Sequence, residues 1–196
     1  MRLFSVLGFA LALALPVFAK DVVYKIDTKK SVVNWTGSKL VGKHNGTLNF
    51  KEGTLTLNEK GELKGGEFQV DMKSLTNKDL DGEMKGKLEG HLKSEDFFSV
   101  EKNPISSLKF VSVKLKAKGV YAVEANLTIK GKTSPEPVKF DATIEVKNKI
   151  LTGKAPMNFD RTVYDVRYGS GKFFENLGDK VIKDNIELTV EVVAVP

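Results

Sequence analysis

Val138-Lys139-Phe140-Asp141-Ala142-Thr143-Ile144-Glu145-Val146-Lys147 places an apolar residue at every second position. Successive side chains of a β-strand point to opposite faces, so this stretch reads as a strand with one face on a core and one in water. The same alternation recurs at Val33 and Trp35, at Leu48 and Phe50, at Leu55 and Leu57, and at Phe68, Val70 and Met72. It recurs again from Val123 to Ile129 and from Ile186 to Val192. Leu108 to Leu115 also reads as a strand, with a slip at Phe110-Val111 that predicts a bulge. Strands of a parallel α/β core are apolar throughout, so one-sided strands indicate antiparallel sheet. Eight of them at short spacing predict a mainly β chain folded as a barrel or sandwich. Gly37, Gly42, Gly46, Gly53, Gly61, Gly65-Gly66, Gly119, Gly131 and Gly153 read as the joints.

The exception lies between Asp79 and Val100. Met84, Leu88, His91, Leu92 and Glu95 fall at helical spacing, and Asp79, Asp81 and Glu83 put negative charge at the start, where a helix favours it. The pattern predicts a short helix near residues 81–95, ended before Asn103-Pro104. A second helical turn is expected at Phe173 to Leu177. No internal repeat or linker divides the chain, so a single domain from residue 20 to 196 is expected.

Residues 1–19 are set apart from that domain. Arg2 precedes an uncharged apolar run from Leu3 to Val17, and Val17-Phe18-Ala19 offers small residues where a signal peptidase reads. This is the pattern of a cleavable secretory signal, with cleavage expected after Ala19 and an exported, periplasmic product. The run is short for a membrane-spanning helix, which needs about 20 apolar residues.

Composition narrows the chemistry. The 196 residues include no Cys and only two His, His44 and His91, with 31 Lys+Arg against 25 Asp+Glu. Disulfides, thiolate metal sites and cysteine nucleophiles are excluded, and so is a multi-histidine metal cage within one chain. A nucleophilic triad would have to use one of the two histidines. Ser94 follows His91 by three residues, a spacing that puts any pair on one helix face whatever its function. Gly131-Lys132-Thr133 lacks the upstream glycine of a phosphate loop. Lys114, Lys116 and Lys118 form an alternating row that reads as a solvated strand face or protected edge, not as a nucleic-acid surface. No polybasic cluster marks a membrane-surface site.

The barrel interior remains. Barrels of about eight strands either fill with side chains or hold one small ligand. Trp35, Phe50, Phe68, Phe110, Phe140 and Phe159 are large inward candidates, and alternation alone leaves a packed core and a lined cavity equally open.

Several segments together resemble the YceI-like family, periplasmic polyisoprenoid-binding proteins of lipocalin-like shape. They are Tyr24 to Asp27 with Ser31, Val33, Trp35, Gly37, Lys39, Gly42, His44 and Gly46; Gly65 to Met72; Leu88 to Phe98; Asn126 to Thr133; and Phe159 to Thr162 with Tyr168, Ser170 and Asp179 to Leu188. Ser134 to Pro137 and Ile105 to Ser107 depart from the pattern, at places that read as connections. The resemblance implies an eight-stranded antiparallel lipocalin-like barrel with a capping helix and a tunnel for an isoprenoid or quinone-type lipid. It implies binding, carriage or storage of that lipid, and no cofactor.

On this reading Trp35, Leu48, Phe50, Phe68, Val70, Phe110, Phe140, Ile144 and Phe159 are the candidate tunnel wall. His44, His91, Arg161, Tyr164, Arg167 and Tyr168 are the candidate polar mouth. Arg161 and Arg167 stand out as the only arginines after Arg2. A guanidinium suits bidentate contact with a head group, or a salt bridge to Asp160, Asp165 or Asp96 that pins a loop. Two alternatives remain open: an enzyme acting on a bound lipid through His44 or His91, and a packed barrel serving as an interaction or stress-response module. A homodimer is a further expectation.

Overall fold

The computed structural model describes residues 20–196; the expected signal sequence lies outside the described residues. The elements are β1 (Val22–Ile26), β2 (Val32–Lys39), β3 (Lys43–Leu57), β4 (Leu63–Asn77), α1 (Gly82–Lys93), β5 (Ile105–Ala117), β6 (Val120–Ile129), β7 (Lys132–Thr133), β8 (Val138–Lys147), β9 (Ile150–Asp160) and β10 (Ile182–Val195). Adjacent strands run antiparallel in the order β10-β2-β3-β4-β5-β6-β8-β9, and β9 pairs back onto β10. The result is the expected closed eight-stranded barrel, which leaves no long sheet edge exposed.

One stave is made of two strands. β1 pairs β3 at Val22↔Leu57 and β10 at Ile26↔Ala194, and β2 takes over the same two neighbours at Val33↔Leu48 and Val32↔Glu191. Between them the chain turns at Asp27, whose carboxylate accepts the Lys29 N–H at 3.0 Å. The Ser31 hydroxyl accepts the Val193 N–H at 3.0 Å and closes the gap in the ladder.

The alternating apolar residues face inward as their period requires. Val123, Ala125, Leu127 and Ile129 are all buried, as are Val33, Trp35, Leu48, Phe50, Leu55, Leu57, Phe68 and Met72. The bulge falls at Val111, which is skipped when the β5–β6 register passes from Phe110↔Ala125 to Ser112↔Glu124.

Several joints are placed differently. Residues 47–58 read as two strands parted by Gly53, yet β3 runs unbroken through it. Gly37, Gly46, Gly65, Gly66 and Gly153 also lie inside strands, whereas Gly42, Gly61, Gly119 and Gly131 are turn glycines with positive φ. Ile105 to Ser107, read as a connection, open β5. The helical turn expected at Phe173 to Leu177 forms at Gly178–Lys180 instead, and a further 3-10 turn occupies Arg161–Tyr164.

The two barrel ends differ. At one end Leu57, Leu63, Leu151 and Ala194 are buried together and plug the bore. At the other, α1 links β4 to β5 and lies against β4. None of its residues is fully buried, and it carries Gly86 and Gly90 within its length. It is a lid of low intrinsic helix propensity.

Candidate functional site

Beneath α1 the barrel is hollow. The cavity measures about 200 Å³, many times the volume that one water molecule occupies, so it is not a packing defect. Its wall carries one aromatic ring from each of four strands: Phe50 (β3), Phe68 (β4), Phe110 (β5) and Phe140 (β8). Neighbouring ring centroids stand 5.7, 5.9 and 6.1 Å apart, all in tilted or edge-on geometry. β6 runs between β5 and β8, and there Ala125 faces Phe110 across the ladder. With only a methyl at that position, the Phe110 and Phe140 rings meet over β6. Further round, Ala142 and Ala155 keep the bore open.

All nine residues expected in the wall line this cavity: Trp35, Leu48, Phe50, Phe68, Val70, Phe110, Phe140, Ile144 and Phe159. Their neighbours in the lining include Met72, Leu75, Leu127, Ile129, Met157, Ile186, Leu188 and Val190, and from the lid segment Leu88, Leu92, Phe97 and Phe98. Period-2 alternation marks the strand members of that group. Phe97 and Phe98 lie beyond the helix and carry no periodic signal.

The residues expected at the mouth divide. His44 and Arg161 line the cavity, whereas Tyr164, Arg167 and Tyr168 do not. Tyr164 is fully buried behind the wall, packed edge-on against Phe159 at 5.6 Å, and burial raises its hydroxyl pKa. Arg167 stands outside, paired with Asp165 at 3.0 Å and stacked 4.6 Å over Phe173. Tyr168 packs on the outside of the lid, 4.6 Å from the His91 ring and 5.3 Å from Phe97. His91 itself meets Asp96 at 3.1 Å through Nε2, and Ser94 donates to the His91 carbonyl rather than to its ring.

Arg161 is only 1% exposed. Its Nε donates to the Lys183 carbonyl, Nη1 to those of Val166 and Tyr168, and Nη2 to Ile182 O and Asp184 Oδ1. That uses the full fork of donors. The guanidinium therefore ties the Arg161–Tyr168 loop to the start of β10. Its acidic partner is Asp184, not Asp160, Asp165 or Asp96.

Two carboxylates fix the lid. Asp79 sits just before α1 and accepts from the Asn45 N–H, the Asn77 amide and His44 Nδ1, each at 2.7 Å. Burial alone would raise its pKa, but these hydrogen bonds outweigh it and hold the carboxyl below its ordinary value. Glu89, within α1, accepts from the Asn77 N–H and the Thr76 hydroxyl, both at 2.8 Å. Its carboxyl is lowered too, first by the Asn77 N–H and then, against burial, by Thr76 and the nearby Lys85.

The arrangement suits sequestration of an apolar chain: a plugged bore, an aromatic girdle and a lid held by a few polar contacts. No helix among the described residues is long and apolar enough to cross a membrane. The chain matches the YceI-like domain over residues 24–194. No match was found among curated proteins. Three solved structures share the fold. BcnA of Burkholderia cenocepacia is 18% identical with a TM-score of 0.70, over 87% of this chain and 99% of that one. A polyisoprenoid binding domain from Saccharophagus degradans, implicated in plant cell wall breakdown, is 15% identical with a TM-score of 0.60, over 88% and 98%. The YCEI protein of Campylobacter jejuni is 14% identical with a TM-score of 0.57, over 100% and 99%. A domain match spanning most of the chain, on a closed barrel of this form, makes the chain a member of the YceI-like family.

Proposed function

We propose that the protein binds and carries, or stores, a long isoprenoid-type lipid inside its barrel. The observation that carries this reading is the hollow itself, with apolar and aromatic walls, one plugged end and a lid at the other. The polyisoprenoid binding named for the Saccharophagus degradans domain supports the ligand class. A prenyl chain needs no hydrogen bonds, only dry apolar walls. Each buried methylene contributes about 0.8 kcal/mol, so ten or so match the roughly 8 kcal/mol of micromolar binding before entropy losses.

The proposed role is binding without catalysis. His44 and Asp79 belong to the polar hub that fixes the start of the lid, since the same carboxylate holds Asn45 and Asn77. The signal-like residues 1–19 support export to the periplasm, where such a lipid would need a carrier between membranes. Thermal unfolding with added geranylgeraniol tests the reading. A bound prenol raises the melting temperature in proportion to the logarithm of its concentration. A melting temperature indifferent to prenols of any length contradicts it.

A further inference from the structure

Leu40 and Val41 stand at the tip of the β2–β3 hairpin, between Lys39 and Lys43, and are 59% and 78% exposed. With Met84 at 60%, they are the three most exposed large apolar side chains among the described residues. Tight turns are ordinarily built from Gly, Asn, Asp, Ser and Pro. Here Gly42 supplies the positive φ, and its carbonyl accepts the Lys39 N–H at 3.0 Å. The turn therefore does not call for leucine and valine.

The same rim gathers other exposed apolar groups. The Leu40 N–H donates to the Val181 carbonyl at 3.3 Å, and the adjacent Ile182 N–H donates to the Gly169 carbonyl at 2.8 Å. The hairpin tip thus lies beside the loop of residues 169–181. That loop carries Phe173 and Phe174, the two exposed phenylalanines among the described residues. Asp79 ties the start of α1 to His44 and Asn45, just after Lys43. Met84 lies one turn before Leu88 on the same side of that helix. Ser38, Lys39, His44, Ile182 and Leu88 line the hollow, so these tips surround its mouth.

Charge follows the same layout. Lys39 and Lys43 form no ion pair among the described residues, and no acidic residue lies between them. In the neighbouring loop Glu175 and Asp179 offset Lys172 and Lys180, and Lys172 is held by Asp160 and Asp184. The unbalanced positive charge lies at the hairpin.

We propose that this rim docks the barrel mouth-first on an anionic phospholipid bilayer. Leu40, Val41, Phe173 and Phe174 enter the boundary between headgroups and acyl chains, and Lys39 and Lys43 meet the phosphates. Apolar side chains beside cations are the combination that such a boundary favours. The inference deepens the lipid-binding reading, on which its purpose rests. A prenyl chain crossing water exposes its whole apolar length, whereas a mouth seated on the bilayer lets it pass from one apolar phase to another. No run of lysines marks this surface in the sequence, because the fold assembles it from separate segments. Separate tips around an opening suit a deformable surface better than the closely fitted face of a second protein.

Sedimentation of the ligand-free chain from Lys20 onward tests this, with vesicles of phosphatidylcholine alone or mixed equally with phosphatidylglycerol. The protein is expected to bind the mixed vesicles, to bind the neutral ones at least about tenfold more weakly, and to be released by salt. Leu40→Ser with Val41→Ser is expected to weaken binding at least about tenfold, and Lys43→Gln about fivefold. Val146→Ser with Ile150→Ser removes exposed apolar side chains beside Leu151 at the plugged end and is expected to leave binding unchanged. Equal binding by the Leu40→Ser, Val41→Ser variant and the wild type overturns the inference, and so does a larger loss from the change at the plugged end. Wild-type protein that ignores both vesicles also overturns it; self-association lost in the Leu40→Ser, Val41→Ser variant would then assign the rim to a second copy. The melting temperature with geranylgeraniol, measured alongside, separates the two claims. Prenol stabilisation without vesicle binding overturns docking and leaves lipid binding standing. Rim-dependent vesicle binding without prenol stabilisation supports docking and overturns lipid binding.

Discussion

Asn77 at the end of β4 donates its backbone N–H to Glu89 Oε1 of the lid helix at 2.8 Å, and the Thr76 hydroxyl donates to the same oxygen. The strand edge thereby holds the helix through a side chain that a single substitution removes. No residue of α1, Glu89 included, is fully buried, so the tether is not reinforced by deep packing of the helix. Glu89→Ala is expected to lower the free energy of local lid opening by about 1 kcal/mol, with Glu89→Gln losing roughly half as much. Amide hydrogen exchange across residues 82–93 and at Asn77 measures this. Unchanged exchange at Asn77 would show that the tether does not hold the lid.

Acid acts on the same contacts. Glu89 and Asp79 both have carboxyl pKa values held below the ordinary range by hydrogen bonds to their charged forms. A depressed carboxyl contributes stability that is complete above the unfolded pKa and is lost as pH falls through the folded one. Lid protection is therefore expected to be constant above about pH 5 and to decline below about pH 4. Exchange rates corrected for intrinsic chemistry give the profile; protection that stays level to about pH 3 contradicts it.

Gly86 and Gly90 have open space where a Cβ would stand, and neither has a positive φ. Alanine at each is expected to stabilise α1 by about 1 kcal/mol with no new clash. If the lid gates the bore, the doubly substituted protein releases a bound prenol more slowly, and its melting temperature rises by about 4–8 °C, as about 2 kcal/mol of added stability predicts for a chain of this length. Release measured by transfer to acceptor vesicles distinguishes this from a lid that plays no part in exchange.

Arg161 satisfies four backbone carbonyls and Asp184. A lysine has three donors on a point charge and cannot reproduce that fork. Arg161→Lys is expected to cost about 3 kcal/mol in urea denaturation, because buried carbonyls are left unmet. A loss under about 0.5 kcal/mol would mean that the loop is pinned by something else.

The barrel was legible because one-sided alternation survives in most strands, and the helix because Leu88 and Leu92 keep their spacing. Alternation breaks β3 in two at Gly53 and marks no strand over β9, so the two departures cancel in the count of eight. Along β9 the inward positions are Leu151, Gly153, Ala155, Met157 and Phe159. Two of these are too small to register as apolar beats, and Pro156 argues against a strand. Those small residues help leave the interior hollow, so the feature that hid the strand also makes the cavity. The wall was readable from inward aromatics. The mouth was not, because whether an arginine faces a ligand or a set of carbonyls depends on a loop that has no period. Arg161 turned inward to its own backbone, and Tyr168 turned outward onto His91.

Organic extraction of the protein, purified without detergent from cells that make it naturally, followed by mass spectrometry, tests the central claim most directly. The account predicts about one isoprenoid-type lipid per barrel. A clean extract from a protein whose melting temperature no prenol or quinone shifts would contradict it.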